Sequence, residues 1–332
     1  MRTIEWRGDH AVLIDQTRLP HAVEWLAVRD VDTMIDAIRR LAVRGAPAIG
    51  VAGGFAVALA AKQAEREGRD TEWVRAESQR IAAARPTAVN LSWAVRRVVA
   101  RLDDGPDAVV DEAVALCEED VRTNRALAER GAEFLESLLG APAKLHTHCN
   151  AGGLACVEWG TALGIVRAMH ERGTLVSVTA DETRPLLQGA RLTAFELAEL
   201  GIEHRIVVDG AGPSVIARGL ADAVVVGADR IAANGDVANK IGTYPLALAA
   251  SRAGIPFVVA APESTIDLST ASGDDIEIEE RSADEVLGVG ASRVAPEASG
   301  ALNLAFDVTP ADLVTAIVTE RRVIRPSAGE TP

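Results

Sequence analysis

Cysteine is scarce in this chain of 332 residues, which holds only Cys117, Cys149 and Cys156. Such an odd, sparse set in a large chain is not the disulfide framework of a small secreted domain. The zinc patterns Cys-x-x-Cys and His-Glu-x-x-His are both absent. His146 and His148 lie beside Cys149, but neighbouring positions on a strand point to alternate faces and converge poorly on one ion. We therefore expect no metal site.

Basic charge and long apolar runs are also in short supply. The chain carries 34 basic and 48 acidic residues, a formal net charge of −14. That balance gives no general attraction to nucleic acid or to an anionic membrane, so a bound phosphate must be met by local groups. We find no apolar run that we expect to span a bilayer, and residues 1–6 lack the apolar stretch of a signal peptide. A cytoplasmic protein is the expectation.

Three common nucleotide and hydrolase signatures are missing. Gly210-Ala211-Gly212 follows a strand-like run, but Val215 stands where the dinucleotide fingerprint needs its third glycine. Neither a Gly-x-x-x-x-Gly-Lys-Ser/Thr loop nor a Gly-x-Ser-x-Gly elbow occurs. Dehydrogenase, P-loop and serine-hydrolase functions are therefore poorly supported.

The patterns that are present predict an α/β protein with two domains. Residues 1–140 favour a small, mainly helical domain with a minor antiparallel sheet, because helical spacing of apolar residues dominates there. From residue 141 to 325, short β-rich runs alternate with helical ones, which predicts a Rossmann-like, doubly wound parallel sheet. The strand-like runs are residues 144–147, 175–179, 205–208, 223–227 and 256–260. Residues 326–332 are expected to form a flexible tail.

The segment from Gly227 to Thr243 is the most informative one. It follows an apolar strand and is expected to form one polar loop before a helix that Thr243 caps. Ligands bind at the carboxyl ends of strands in such folds, and burial there raises the pKa of a carboxylic acid. Asp229 is therefore a candidate proton donor, while Asp236 is interpreted as a residue that braces the loop.

Side chains suited to catalysis or ligand binding also follow two other predicted strands. Cys149 precedes glycines that we expect to open a helix near residue 154, whose dipole would lower the thiol pKa while burial would raise it. The alternative is that Cys149 is only a small buried hydrophobe. Residues 180–189 supply Arg184 and Gln188, a guanidinium and an amide suited to sugar hydroxyls or phosphate, or else a solvated loop with internal ion pairs.

The predicted helical domain offers two arginines at helix boundaries. Arg44 lies beside Gly45, where a charge and an open backbone could clamp an anion; the alternative, a helix–helix turn, explains the glycine and Pro47 but not the arginine. Arg85 opens the segment from residue 85 to 90 in the same domain.

Taken together in chain order, these motifs resemble the methylthioribose-1-phosphate isomerase family. The resemblance rests on Arg-Gly-Ala-Pro-Ala-Ile-Gly from Arg44, His-Cys-Asn-Ala-Gly from His148, Glu-Thr-Arg-Pro-x-x-Gln-Gly from Glu182 and Gly-Ala-Asp-Arg-Ile from Gly227. Asn-Lys-Ile-Gly-Thr at residues 239–243 and Ala-Phe-Asp-Val-Thr-Pro at residues 305–310 extend it. Leu304, where the family usually has proline, and the glycine-rich residues 210–212 depart from the pattern and leave the local loop shape open.

The resemblance implies a homodimeric aldose–ketose isomerase of methionine salvage that acts on a sugar phosphate without metal or cofactor. It implies that Cys149 and Asp229 are the catalytic pair. The substrate-binding positions that it implies are Arg44, Gly45, Ala46, Arg85, Gln188, Asn239 and Lys240. The wider family also contains ribose-1,5-bisphosphate isomerases and non-catalytic regulatory subunits of a translation initiation exchange factor, and these remain the alternatives.

Overall fold

The computed structural model describes residues 1–85, 89–140, 142–290 and 292–332. Pro86, Thr87 and Ala88, part of the segment that Arg85 opens, lie outside the described residues. Two compact units are present. The first comprises Met1–Ala126 and Ala151–Gly160, and the second comprises Leu127–Asn150 and Thr161–Pro332. The domain boundary that the sequence suggested at residue 140 stays a prediction.

The first unit combines a small antiparallel sheet with helices, as expected. Its strands, in the order β1-β2-β3, are β1 Ile4–Arg7, β2 His10–Ile14 and β3 Trp25–Val28. Its helices are α1 Val31–Arg39, α2 Ala46–Glu67, α3 Thr71–Ala82, α4 Val89–Val99 and most of α5 Pro106–Leu139. The residues before the third strand form turns, in which the Ala22 amide donates a hydrogen bond to the Arg18 carbonyl.

Helix α3 has only a thin apolar stripe, so its sequence gives a weak helical signal. Only Val74, Ser78 and Ile81 are buried along it. The local signal that marks its start is Asp70, whose side chain accepts a hydrogen bond from the Trp73 amide. An N-cap of this kind satisfies an otherwise unpaired amide of the first turn.

Helix α2 corrects the expectation that no apolar run could span a bilayer. By length and composition alone it would qualify, but 78% of the qualifying window is buried inside the protein. Phe55, Val57 and Leu59 lie in its buried core with neighbours from α1 and α4. Burial on nearly all sides is the reason that α2 is apolar all round.

The second unit is built on a seven-stranded sheet. Its strands, in spatial order, are β16 Val323–Ile324, β15 Ala316–Val318, β10 Phe257–Ala260, β7 Ala223–Val226, β4 Ala143–Thr147, β5 Leu175–Asp181 and β6 His204–Val207. All neighbours are parallel except the β15–β16 pair. The six parallel strands follow the doubly wound order 3-2-1-4-5-6, so the predicted Rossmann-like sheet is confirmed.

Helices and a smaller sheet complete the second unit. The helices are α6 Ala162–Glu171, α7 Ala194–Glu199, α8 Gly212–Ala217, α9 Thr243–Ala253 and α10 Asp284–Leu287. A four-stranded sheet has the order β11 Ile266–Asp267, β8 Arg230–Ala232, β9 Val237–Lys240 and β14 Phe306–Thr309. Two short strands, β12 Gly288–Val289 and β13 Ser292–Arg293, form a separate pair.

The first residues of the C-terminal segment, from Pro326, are packed against the protein. Pro326 is buried and starts a turn of 3-10 helix that runs to Ala328. The Ser327 amide donates a hydrogen bond to the Val314 carbonyl. Residues 329–331 are exposed.

Candidate active site

The carboxyl ends of β4 and β7 meet at the point where the strand order reverses. Leu145 and His146 of β4 pair with Ala223 and Val224 of β7. From β4 the chain winds through β5 to β6 on one side, and from β7 it winds through β10 to β15 on the other. Ligands of doubly wound sheets bind in the crevice outside this switch point.

Cys149 and Asp229 lie at this switch point. Cys149 is the second residue after β4, and Asp229 is the third after β7. Both belong to the second unit, together with Gln188, Asn239 and Lys240. The structure thus brings the two predicted reactive side chains to the same edge of the sheet.

The backbone of Cys149 is held in a left-handed conformation, with φ of 58°. Its amide donates to the Thr183 hydroxyl at 2.9 Å, and its carbonyl accepts from the Thr193 hydroxyl at 2.6 Å. Such a conformation is uncommon for a residue with a side chain and is concentrated at functional sites. The two threonines determine where the thiol is presented.

The helix that we expected directly after Cys149 is absent from the described residues. A single 3-10 turn spans Gly153–Ala155, and α6 begins only at Ala162. A helix dipole at Cys149 was therefore a wrong prediction, because the glycines lead into irregular chain. Cys156, in the same segment, is not helical either, and it is buried.

The segment after Asp229 is a hairpin and not a single loop. Strands β8 and β9 pair with each other, and β9 also pairs with β14. The Asp229 amide donates to the Ala238 carbonyl at 2.9 Å, which places Asp229 at the open end of the hairpin. Asp236 braces the other end, as predicted, by accepting from the amides of Gly273 and Ala311.

Strand β9 presents Asn239 and Lys240 in buried positions. The Lys240 ammonium donates to the Ala305 carbonyl at 2.7 Å and lies 4.5 Å from the centre of the Phe306 ring. Asn239 donates from its amide nitrogen to the Thr243 hydroxyl at 2.9 Å. These contacts fix both side chains on a strand, where backbone pairing limits their movement.

Thr243 does not cap α9, contrary to the prediction. The N-cap residue is Gly242, and the Thr243 hydroxyl donates instead to the Lys240 carbonyl. The capping carboxylate comes from Asp307 on β14, which accepts from the Gly242 and Tyr244 amides. Burial raises the pKa of Asp307, an effect that those hydrogen bonds and the charges of His148 and Lys240 partly offset.

Gln188 lies on the polar segment that follows β5. Its side chain is only 6% exposed, and its Oε1 atom has no hydrogen-bond partner among the described residues. A buried amide oxygen without a partner is costly and is one mark of a ligand-binding position. One turn of π-helix, Gly189–Thr193, follows directly, and such turns occur frequently at functional sites.

The remaining predicted positions lie in the first unit. Arg44, Ala46 and Arg85 are half-buried there. Gly45 is the N-cap of α2, with φ of 89°, and as a glycine it offers no side chain to cap the first turn of that helix. A Cβ atom on Gly45 would lie 2.5 Å from the Ala155 backbone, so only glycine fits here.

One cluster of the described residues has the spacing of a metal site. Ligand atoms of His148, Asp181 and Asp209 lie within 4.8 Å of one another. Each side chain already has protein partners: His148 bonds to Asp181 and to the Ile241 carbonyl, and Asp209 accepts from the Thr183 and Arg184 amides. These donors fit an internal hydrogen-bond network better than a metal ion, whose ligands need free lone pairs.

The same cluster shows what the sequence reasoning missed. His146 and His148 are two residues apart, and both face Asp181, at 3.4 and 2.8 Å. The sequence argument treated neighbouring positions as facing apart, but side chains at i and i+2 of a strand share one face, so both rings reach Asp181. Burial opposes ionisation of Asp181, but its contacts with His146 and His148 hold the pKa of that carboxyl below its usual range.

Comparison with known proteins decides the family. The model of the initiation factor 2 subunit family matches residues 42–326. The chain belongs to this family. Members of the family include both enzymes and translation factor subunits, so the individual relatives matter.

The similar family members are predominantly isomerases by name. The chain is 50% identical to the methylthioribose-1-phosphate isomerase of Pelotomaculum thermopropionicum, over 99% of this chain and 92% of that protein. It is 54% identical to a probable bifunctional methylthioribose-1-phosphate isomerase/methylthioribulose-1-phosphate dehydratase of Nocardia farcinica. That match covers 99% of this chain but only 60% of the Nocardia protein. The resemblance to methylthioribose-1-phosphate isomerases is confirmed.

Solved structures of the family have the same fold. The crystal structure of 5-methylthioribose 1-phosphate isomerase from Pyrococcus horikoshii is 42% identical, with a TM-score of 0.89 over 98% of this chain and 92% of that one. A structure titled as the delta subunit of translation initiation factor eIF-2B from A. fulgidus is also 42% identical. Its TM-score is 0.86, over 98% of this chain and 96% of that one.

Proposed function

We propose that this protein isomerises 5-methylthioribose 1-phosphate, an aldose, to 5-methylthioribulose 1-phosphate, a ketose, in methionine salvage. One observation carries the proposal. Cys149 and Asp229 follow the adjacent strands β4 and β7 at the switch point of the sheet, in a chain about half identical to isomerases over its whole length.

The substrate explains why an acid is needed. A phosphate on C1 prevents the sugar from opening by loss of its anomeric proton. The bond from C1 to the ring oxygen must break instead, while the phosphate stays attached. We assign protonation of the ring oxygen to Asp229, acting as a general acid.

Cys149 is assigned to the hydrogen transfer from C2 to C1. It acts either as the base at C2, which gives an enol intermediate, or as a group that stabilises a direct hydride shift. Both routes create an electron-poor C1 that water would attack, so the site must exclude water. Turnover in deuterated water separates them, because solvent deuterium at C1 of the product contradicts a pure hydride shift.

Seven further residues are assigned to substrate binding. Gln188 is supported by its buried, unpartnered amide oxygen, and Lys240 and Asn239 by their fixed positions on β9. Arg44 supplies a positive charge beside the start of α2, whose first backbone amides suit a phosphate. Arg85, Gly45 and Ala46 complete the set by family resemblance.

Turnover of the purified protein tests the proposal. Cys149→Ala and Asp229→Asn are expected to remain folded and to lose nearly all isomerase activity. Cys117→Ala is the matched control for a buried cysteine, and Asp236→Asn for an aspartate of the same hairpin; both should lower stability while retaining kcat. Near-normal turnover in Cys149→Ala or Asp229→Asn would refute the assigned roles.

The same assays would also distinguish two other functions. Faster turnover of ribose 1,5-bisphosphate than of the methylthio sugar would favour the bisphosphate isomerase. The likeness to the structure titled as an eIF-2B delta subunit raises a second candidate, a regulatory subunit. The presence of both Cys149 and Asp229 speaks for the enzyme, because a binding subunit needs neither. A stable complex with an exchange-factor partner and no turnover would support the regulatory subunit.

We further propose a homodimer in the cytoplasm, on the strength of the family resemblance. Sedimentation at low protein concentration tests the dimer. A monomer at concentrations that support full activity would contradict it.

A further inference from the structure

The ring of His148 connects two parts of the second unit. Its Nδ1 atom lies 2.8 Å from Asp181 Oδ2, at the end of β5. Its Nε2 atom lies 2.8 Å from the carbonyl oxygen of Ile241, directly after β9. The ring is 1% exposed, so water does not compete for either contact.

These partners determine the protonation of the ring. A carbonyl oxygen only accepts, so Nε2 must carry a hydrogen. A carboxylate oxygen likewise only accepts, so the 2.8 Å contact with Asp181 Oδ2 places a hydrogen on Nδ1 as well. With both ring nitrogens donating, this geometry makes His148 an imidazolium.

The surrounding charges agree with a cation at this position. Asp181 and Asp209 present oxygen atoms within 4.8 Å of a ring nitrogen of His148. The charge of His148 also lowers the pKa of Asp307. Lys240 acts on Asp307 in the same direction. His146 is the other titratable group of the network, and its Nδ1 lies 2.8 Å from the Thr179 hydroxyl, which can donate to it.

The chain around both contacts is shaped to keep them. His148 immediately precedes Cys149, and Ile241 immediately follows Lys240. The ring lies against Gly242, where a Cβ atom would be 2.8 Å from Cε1 of His148. Gly242 has φ of 104°, so a side chain there is excluded by both space and backbone conformation.

We propose that His148 is a positioning residue that, as an imidazolium balanced by Asp181, fastens the Cys149 segment to the strand that carries Asn239 and Lys240. This role rests on the proposed function, because it serves the hydrogen transfer and the substrate contacts assigned above. His148 itself takes no direct part in the proposed reaction, because it acts through its neighbours.

His148→Gln and His146→Gln form a matched pair of variants. Both remove a buried ring beside Asp181, so both should lower the unfolding temperature. Only His148→Gln breaks the tie to Ile241, and we expect its kcat/KM to fall about 100-fold, the loss typical of reacting groups misplaced by about 1 Å. His146→Gln should stay close to the unaltered protein in kcat/KM.

A double-mutant cycle tests whether the effects of His148 and Asp181 on kcat/KM are coupled. Asp181→Asn should reduce kcat/KM about as much as His148→Gln does, and the double variant should lose no more than either alone. Fully additive losses, or normal kcat/KM in His148→Gln, would overturn the proposal.

Two readouts do not depend on activity. In protein labelled with ¹⁵N-histidine, both ring nitrogens of His148 should carry a bonded proton at neutral pH, and one should lose it in Asp181→Asn. Hydrogen exchange at the amides of Cys149 and Gly242 should accelerate together in His148→Gln and not in His146→Gln. A singly protonated ring, or unchanged exchange, would refute the role. Absence of turnover in the unaltered protein, with these two results as expected, would refute only the isomerase function.

Discussion

The amide of Cys149 donates a 2.9 Å hydrogen bond to the hydroxyl of Thr183, and both residues have left-handed backbones, with φ of 58° and 65°. Thr183 is held in turn by its amide, which donates to Asp209 at 2.7 Å. Two strained residues that support each other are therefore anchored on a carboxylate. Conformations of this kind persist only when the surrounding structure over-determines them.

The left-handed backbone predicts an unusual order of stability for variants of Cys149. Cys149→Gly should be more stable than Cys149→Ala by about 0.5–1 kcal/mol, because the relief of backbone strain exceeds the entropy that glycine loses on folding. Neither variant should turn over substrate. Urea unfolding measures the difference, and an alanine variant of equal or greater stability would show that the conformation carries no strain.

The two ends of α2 offer a controlled test of close packing at Gly45. Gly45 and Gly68 flank the helix, and both have positive φ. A Cβ atom at Gly45 would meet Ala155, whereas at Gly68 nothing lies within 4 Å. Gly68→Ala should cost about 1 kcal/mol, and Gly45→Ala at least about 2 kcal/mol more. Chemical denaturation of both variants measures this difference, and equal costs would contradict the close approach.

Asp120 predicts a pH-dependent stability. Burial raises its pKa to about 7, although the Val157 amide and the Asn124 side chain donate to its carboxyl. A raised pKa means that the folded state binds the proton more tightly, so stability is lost as pH rises from about 4 to about 7. Asp120→Asn should remove this loss and be more stable at about pH 8 by roughly 2–4 kcal/mol.

Unfolding free energies measured across that pH range check the Asp120 prediction. The stability difference between Asp120→Asn and the unaltered protein should grow with pH and level off above about pH 7. A difference that is constant with pH would show that the carboxyl titrates alike in the folded and unfolded states.

Asp307 should behave as a helix cap supplied from a distant strand. Asp307→Ala removes the acceptor for the Gly242 and Tyr244 amides at the start of α9, and we expect a loss of about 1–2 kcal/mol. Asp312→Ala, an exposed aspartate nearby, is the control and should change stability by less than about 0.5 kcal/mol. Thermal unfolding of the two variants compares them, and equal shifts would rule out the cap.

Much of the architecture was predictable because it depends on local patterns. The apolar runs that became β4, β5, β7 and β10 have the expected type and nearly the expected bounds. The order of polar motifs along the chain also sufficed to identify the family. Roles at Cys149, Asp229 and the binding positions remain predictions that only the proposed assays test.

The errors occurred where distant residues override local signals. The glycines after Cys149 suggested a helix start, but the segment Ala151–Gly160 belongs to the first unit and packs there as irregular chain. Thr243 had the local form of a cap, yet Asp307, 65 residues away from Gly242, takes that place. The polar residues after Asp229 suggested a loop, because β8 and β9 are short and pair with the distant strands β11 and β14 as well as with each other.

By itself, the sequence determined the types of the main elements, the absence of dinucleotide and P-loop signatures and the presence of chemically suited residues after β4 and β7. Periodicity and composition carry that information, since each depends on residues a few positions apart. Only the tertiary structure decided that β4 lies beside β7, that Gln188 is buried with an unpartnered oxygen, and that His148 joins Asp181 to Ile241. Strand order and buried hydrogen bonds join residues far apart in the chain, and no local pattern specifies which of them will meet.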